Sequence, residues 1–225
     1  MPDPHPAPPR VEPATPPADV PPSVLRADRV HDGERLGGPG WIALAEGRVT
    51  AVGAGDPPRT HGPVHELGDA LLAPGCVDVH CHGGGGHAVE SGPDAARAAA
   101  AAHARAGTTT VVASLVTDEV DALVAQLTAL APLRAEGVLA GVHLEGPWLS
   151  PLHRGAHRAA SLRAPEPEDV ARLVEAGAGS LAMVTLAPEL PGALDAVGRL
   201  AEAGVLVAIG HTDASYEVTR AAIEA

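Results

Sequence analysis

The 225-residue sequence contains no phenylalanine, one tyrosine and two tryptophans, although 45% of it is hydrophobic. Its core must therefore be built from Ala, Val and Leu, which suits helices packed closely on parallel strands better than an aromatic-rich sandwich. Lysine is absent as well. All 15 basic residues are Arg, set against 28 acidic ones, for a formal net charge of −13. Phosphate-backbone binding depends on clustered Lys and Arg, and no basic stripe is visible, so a nucleic-acid partner is not expected. Cysteine is scarce: Cys76 and Cys81 fall in one expected strand, about 16 Å apart at roughly 3.3 Å per residue and too far for a disulfide. That spacing implies a reduced, cytoplasmic setting. No apolar stretch resembles a signal-peptide core and no run is long and uncharged enough to span a bilayer, so a soluble protein without a membrane partner is expected.

What is present has a clear order. Residues 1–22 carry ten prolines without periodicity and read as a disordered tail. Residues 23–72 read as a small β subdomain, with short segments at Val24–Ala27, Trp41–Leu44 and Arg48–Val52 between Gly, Asp and Pro turns. From Cys76 the pattern becomes apolar strand, Gly or Pro break, Ala-rich helix. The spacing predicts strands near 76–82, 108–116, 138–145, 180–187 and 205–211, and helices near 93–106, 119–131, 167–177, 191–203 and 214–225. Five βα units mean α/β architecture, either an open doubly wound sheet or a (β/α)8 barrel. A closed barrel typically needs about 250 residues. Only 225 minus 75, or 150, remain here, so the sheet is open or the sequence stops partway through a longer protein.

The chemistry-bearing residues sit at the carboxyl ends of these strands. Alternate side chains of a strand share a face, so Asp78, His80 and His82 are expected to point one way, and two adjacent imidazoles can chelate a divalent ion. Four glycines, Gly83 to Gly86, follow and leave room for a ligand. Asp78 is expected either to orient an imidazole or to be structural. Glu145 ends the third strand; alone, it could equally cap a loop or pair with Arg154. His143, deeper on the same face, reads as packed or as supporting a ligand. His211 ends the fifth strand. Three strands delivering His, Glu and His to one rim are hard to explain by core packing, and barrel enzymes place their chemistry on that rim. Imidazole and carboxylate ligands suit zinc, iron or a related divalent ion, which implies hydrolysis. The polar stretch Trp148–Arg158 reads as a loop over the same rim suited to a polar substrate.

Taken together, Leu72–Gly84, His143–Trp148, Arg154–His157, Val184–Glu189 and Gly210–Ala214 resemble the N-acetylglucosamine-6-phosphate deacetylase family of the amidohydrolase superfamily. The resemblance runs in order from about residue 24 to the end. It implies a (β/α)8 TIM-like barrel joined to a β-sandwich, with residues 73–225 as its first five βα units and 23–72 as part of the sandwich. It implies deacetylation of N-acetylglucosamine 6-phosphate to glucosamine 6-phosphate and acetate, in amino-sugar catabolism. Glu145 and His211 would bind the main metal, His80 and His82 a second, so one or two ions, zinc foremost. Ala156 and His157 match positions that contact the sugar. A further metal-binding His and the general-base Asp would lie beyond Ala225, so the chain is expected to be truncated and inactive alone. The family also implies a homodimer at full length. Arg154 and Arg158 are nearby candidates for the phosphate. Superfamily relatives that bridge two metals with a carboxylated lysine are disfavoured by the lack of Lys; a non-catalytic metal-binding remnant stays open as an alternative.

Overall fold

The protein is described by a computed structural model over residues 21–225, so the expected tail of residues 1–22 lies outside the described residues except for Pro21 and Pro22. The chain divides into two compact units at Cys76/Val77.

The first unit is made of short strands: β1 (Ser23–Ala27), β2 (Arg29–His31), β3 (Leu36–Gly37), β4 (Gly40–Ala45), β5 (Arg48–Ala54), β6 (Val64–Glu66) and β7 (Leu71–Leu72). They form two sheets, ordered β5-β4-β1-β6 and β3-β2-β7. The β4–β5 hairpin turns on Glu46 and Gly47, both at positive φ (51° and 68°), the backbone that a two-residue turn needs to match strand twist. Trp41, Val24 and Ala43 form a small core. The Trp41 ring packs against Gly53, where an added β-carbon would stand 2.5 Å from it. The three expected segments are found; β2, β3, β6 and β7, of two or three residues each, carry too little periodicity to be read from sequence.

The second unit carries the five expected βα pairs. Strands β8 (Cys76–Cys81), β11 (Thr108–Val116), β12 (Gly141–Glu145), β13 (Leu181–Leu186) and β14 (Leu206–Ile209) lie in one sheet in sequence order. Pairing from β11 through β14 is parallel. Sequential parallel strands with helical crossovers are the arrangement of a (β/α) barrel, of which this is a five-strand part. A small hairpin, β9 (Gly83–Gly84) with β10 (His87–Ala88), follows β8.

Helices α1 (Pro93–Ala104), α2 (Val120–Leu130), α4 (Pro167–Gly177), α5 (Ala193–Glu202) and α6 (Tyr216–Glu224) fall within three residues of the expected bounds. An additional short helix, α3 (Pro132–Ala135), begins where Pro132 ends α2. Pro93 and Pro167 occupy first helical positions, where the missing N–H costs nothing. Helix α5 buries Ala193, Ala196, Val197 and Leu200, the i, i+3, i+4, i+7 stripe of a helix on a sheet. Among the described residues no helix is long and apolar enough to cross a membrane.

The core is aliphatic, as the composition requires, and includes Leu115, Leu123, Leu127, Leu144, Leu173 and Leu186 at no measurable exposure. Leu127 belongs to the α2 stripe of Val120, Leu123, Leu127 and Leu130. Leu127→Ala is expected to cost about 2–5 kcal/mol through lost transfer energy plus a residual cavity. Urea unfolding of both proteins, with unchanged slope, measures it; a loss below about 1 kcal/mol would mean that this helix does not carry the core.

Candidate metal centre

Parallel register aligns Val116 with Glu145, Glu145 with Thr185 and Thr185 with Ala208, so the ends of β11 to β14 come level at one rim. Glu145 is the last residue of β12 and only 8% exposed. Burying a carboxylate is costly unless partners replace water, and here the partners are four imidazoles. His80 Nε2 (3.4 Å) and His211 Nε2 (3.1 Å) face Oε1, while His82 Nε2 (3.1 Å) and His157 Nε2 (3.3 Å) face Oε2. Two groups of metal-competent donors share the carboxylate: His80, His82 and Glu145, and Glu145, His157 and His211. No Arg side chain pairs with Glu145 among the described residues, and Arg154 instead donates to the Gly155 and His157 carbonyls. The ion pair between Glu145 and Arg154 that the sequence left open is therefore not formed.

The outer ring nitrogens decide what each inner nitrogen can do. His82 Nδ1 lies 3.0 Å from the Ser114 carbonyl and His211 Nδ1 lies 2.8 Å from the His153 carbonyl. A carbonyl only accepts, so these nitrogens carry protons and both Nε2 atoms present lone pairs, the arrangement that prepares a histidine for a metal. His157 is wired the opposite way. Its Nδ1 accepts the Thr117 N–H at 3.3 Å, so in the neutral ring Nε2 carries the proton and donates to Glu145. His80 and His82 bring their Nε2 atoms within 2.9 Å of each other. Nitrogen ligands of one zinc ion, each at about 2.0–2.1 Å, also stand roughly 3 Å apart. By donor chemistry, His80 and His82 with Glu145 on one side, and His211 with Glu145 on the other, fit divalent ions, and His157 fits a hydrogen-bond donor.

A third group, Asp78, Cys81 and His103, has ligand-type atoms equally close together. Its wiring argues against an ion. His103 Nε2 lies 3.0 Å from the Gly83 carbonyl and so donates to it, leaving no lone pair there. Of the two readings of Asp78, the structural one fits: its Oδ1 accepts the His80 N–H at 3.1 Å, and its carboxylate groups with Cys81 and His103 and not with the imidazoles of His80 and His82. This cluster fastens α1 to the Gly83–Gly86 turn, and Gly84 allows the approach because a β-carbon there would fall 2.5 Å from His103 Nε2. Cys76 and Cys81 are both free, in line with their spacing.

Polar residues support the centre from below: His143, expected there as packed or supporting a ligand, and hydroxyl partners that sequence reasoning missed. His143 is fully buried, between Ser114 Oγ at 2.9 Å from Nδ1 and Thr185 Oγ1 at 2.8 Å from Nε2, with its ring edge-on to His80 at 4.7 Å. Ser114 Oγ also accepts the Cys81 N–H at 3.0 Å, so one hydroxyl ties β8, β11 and β12 together. Thr117 Oγ1 donates to the Glu145 carbonyl at 3.0 Å. Gly146 follows at φ 90°, and a β-carbon there would fall 2.2 Å from Thr117 Oγ1, so only glycine fits behind the carboxylate. Isolated hydroxyls inside apolar strands were the only sequence signal for this set.

The stretch after Glu145 corrects an expectation. The whole of Trp148–Arg158 is expected as a polar loop over the rim, but Trp148, Leu149 and Ser150 are buried. Ser150 N–H donates to the His211 carbonyl, and Ala187 N–H to the Trp148 carbonyl. The exposed portion begins at Pro151 and includes Ala156, while His157 returns to the interior. Arg158 stays exposed, 3.9 Å from Asp118.

Burial pushes the Glu145 carboxyl up; without an ion, when the facing Nε2 atoms carry protons as well, the His211 hydrogen bond and the charges of His80, His157 and His82 outweigh it and hold it below the ordinary value. Burial lowers His157, only partly opposed by Glu145, which favours the neutral ring. Burial, helped by His80, lowers His143 from 6.5 to about 4. An unfolded His143 takes up its proton near pH 6.5 and the folded one only near 4, so its contribution is present above 6.5 and lost as pH falls from there toward 4. At about 1.4 kcal/mol per pH unit the loss is on the order of 3 kcal/mol. Denaturation of the chelator-treated protein across that window is expected to show His143→Gln losing less stability than the native chain. Equal losses would show that His143 is not held neutral.

A sequence profile described as "Amidohydrolase family" matches residues 71–225. The chain belongs to the amidohydrolase family. N-acetylglucosamine-6-phosphate deacetylase of Vibrio furnissii is 33% identical over 207 residues, covering 89% of this amidohydrolase and 52% of the relative. N-acetylgalactosamine-6-phosphate deacetylase of Escherichia coli O157:H7 is 32% identical over 212 residues, covering 90% and 54%. Among solved structures, a variant of the Mycobacterium smegmatis N-acetyl-D-glucosamine-6-phosphate deacetylase, in complex with N-acetyl-D-glucosamine-6-phosphate, is 46% identical with a TM-score of 0.84. That alignment covers 91% of this chain and 54% of the other. The amidohydrolase described here thus spans about half the length of the relatives it matches.

Proposed function

We propose that this amidohydrolase is the metal-carrying part of an N-acetylhexosamine 6-phosphate deacetylase, hydrolysing the acetamide of N-acetylglucosamine 6-phosphate to glucosamine 6-phosphate and acetate. The observation that carries the reading is one buried carboxylate, Glu145, facing four imidazoles, two of which have their outer nitrogen proton bound to a backbone carbonyl. In this reading Glu145 and His211 hold the principal ion, His80 and His82 a second, and zinc or iron suits the nitrogen and oxygen donors. Residues 73–225 are then the first five βα units of the hydrolase barrel and 23–72 part of its β-sandwich. A cytoplasmic homodimer at full length belongs to the same reading.

A divalent ion in such a site supplies Lewis acidity toward an amide carbonyl and toward a water molecule. The chain's own groups supply orientation and hydrogen bonds. His157, its Nε2 proton fixed by the Thr117 N–H on the other side of the ring, can donate to a substrate oxygen but cannot act as a base in that form. Exposed Ala156 beside it leaves space for a sugar. Glu145 stays ionised, so it holds a cation without itself transferring a proton. The two relatives differ in the sugar they name, gluco or galacto.

Acetate release from both N-acetylated hexosamine 6-phosphates, with and without a chelator, tests the proposal on the full-length protein. Chelation is expected to abolish release and added zinc to restore it. Glu145→Gln is expected to lower release on the order of 100-fold or more, the loss of a few kcal/mol of transition-state stabilisation. Unchanged turnover after complete metal removal would sink the mechanism.

A further inference from the structure

Past the end of β13 the chain turns through Ala187 and Pro188, and Glu189 reaches across to the segment after β14. Its Oε2 accepts the Thr212 hydroxyl at 2.5 Å and its Oε1 accepts the Asp213 N–H at 2.7 Å. Thr212 Oγ1 in turn accepts the Ala214 N–H at 2.9 Å. Three successive residues after His211 are thus fastened, directly or through Thr212, to one carboxylate from the preceding βα unit.

His211 needs such a fastening. Its φ is 52°, a left-handed backbone that a residue with a β-carbon adopts only when its surroundings require it. The Ser150 N–H holds the His211 carbonyl at 2.9 Å, and the His153 carbonyl holds Nδ1 at 2.8 Å. Those contacts fix the residue itself and its ring. Glu189 fixes the chain that leaves it. Both Glu189 oxygens already have donors within the turn, and Glu189 belongs to none of the metal-competent groups. Burial pushes its carboxyl up, but the Thr212 and Asp213 donors outweigh that and hold it below the ordinary value.

We propose that Glu189 is a positioning residue of the metal centre: by holding the Thr212–Ala214 turn it keeps His211 in the left-handed conformation that aims Nε2 at Glu145. The proposal rests on the reading of His211 as a metal ligand. It assigns Glu189 to geometry, without contact with ion or substrate.

Zinc affinity of the 225-residue chain, measured by competition with a chromogenic chelator, tests it. Glu189→Ala and Thr212→Val are each expected to weaken zinc binding by about 10- to 100-fold, the usual effect of removing a partner that orients a ligand. Thr212→Ser, which keeps the hydroxyl, is expected to bind like the native chain, and Glu189→Gln to fall between native and Glu189→Ala. Combining Glu189→Ala with Thr212→Val is expected to add little to either alone, because both break the same link. Native affinity in Glu189→Ala and Thr212→Val, alongside weakened binding in His211→Ala, would overturn the role of Glu189 and leave the ligand reading standing. Native affinity in His211→Ala would overturn the ligand reading itself. If Glu189→Ala does not fold, Thr212→Val decides alone, since it removes the hydroxyl without emptying the space.

Discussion

Glu145 sets the terms for the rest of the parallel unit. A carboxylate at 8% exposure is tolerable only with close partners. Here they arrive from three separate stretches of chain: β8 with the residue after it, the loop past β12, and the turn past β14. Each has to end at the same height for the imidazoles to meet. The parallel register of Val116, Glu145, Thr185 and Ala208 supplies that height. A slip of one residue in β12 would turn Glu145 to the opposite face and leave the histidines without a shared counter-charge. The fold and the centre are one constraint seen at two scales.

Main-chain groups then divide the labour among chemically identical rings. Carbonyls of Ser114 and His153 take the outer protons of His82 and His211, whereas the Thr117 N–H donates to His157. The same side chain becomes a lone-pair donor in two places and a hydrogen-bond donor in the third. No composition or spacing encodes this, because the deciding groups belong to the backbone of strand β11, the residue just past it and the loop carrying His153.

This explains how far the sequence could be read. The five βα pairs were legible because apolar strands and Ala-rich helices each run long enough to show their period. Strands β2, β3, β6 and β7, and the four-residue α3, are too short for that. His80, His82, Glu145 and His211 stood out as polar residues at strand ends, in line with the period-2 rule. Asp78 shared that period but took a structural role, its carboxylate bonding the main chain of His80 rather than joining the imidazoles. Ser114, Thr117 and Thr185 stayed hidden within apolar runs, and Trp148 to Ser150 read as part of the polar loop over the rim because Pro and Ser neighbours mimic turn chemistry. Glu189 could be seen only as part of a motif, with no role attached.

Two residues at positive φ stand where the centre is assembled. Gly146, directly after Glu145, sits at φ 90°, and His211 sits at φ 52°. At Gly146 the chain avoids the steric cost by having no β-carbon beside Thr117 Oγ1. At His211 glycine is not an option, because the imidazole is what faces Glu145, so a strained conformation costing on the order of 1–3 kcal/mol has to be offset by neighbours. The offset is visible as hydrogen bonds to the His211 carbonyl, to its Nδ1 and to the turn after it. A side chain whose direction depends on that many independent contacts is held against the pull of its own backbone preference. Such rigidity suits a ligand whose nitrogen must stay on one spot, and it is unnecessary for a histidine that only covers a strand end.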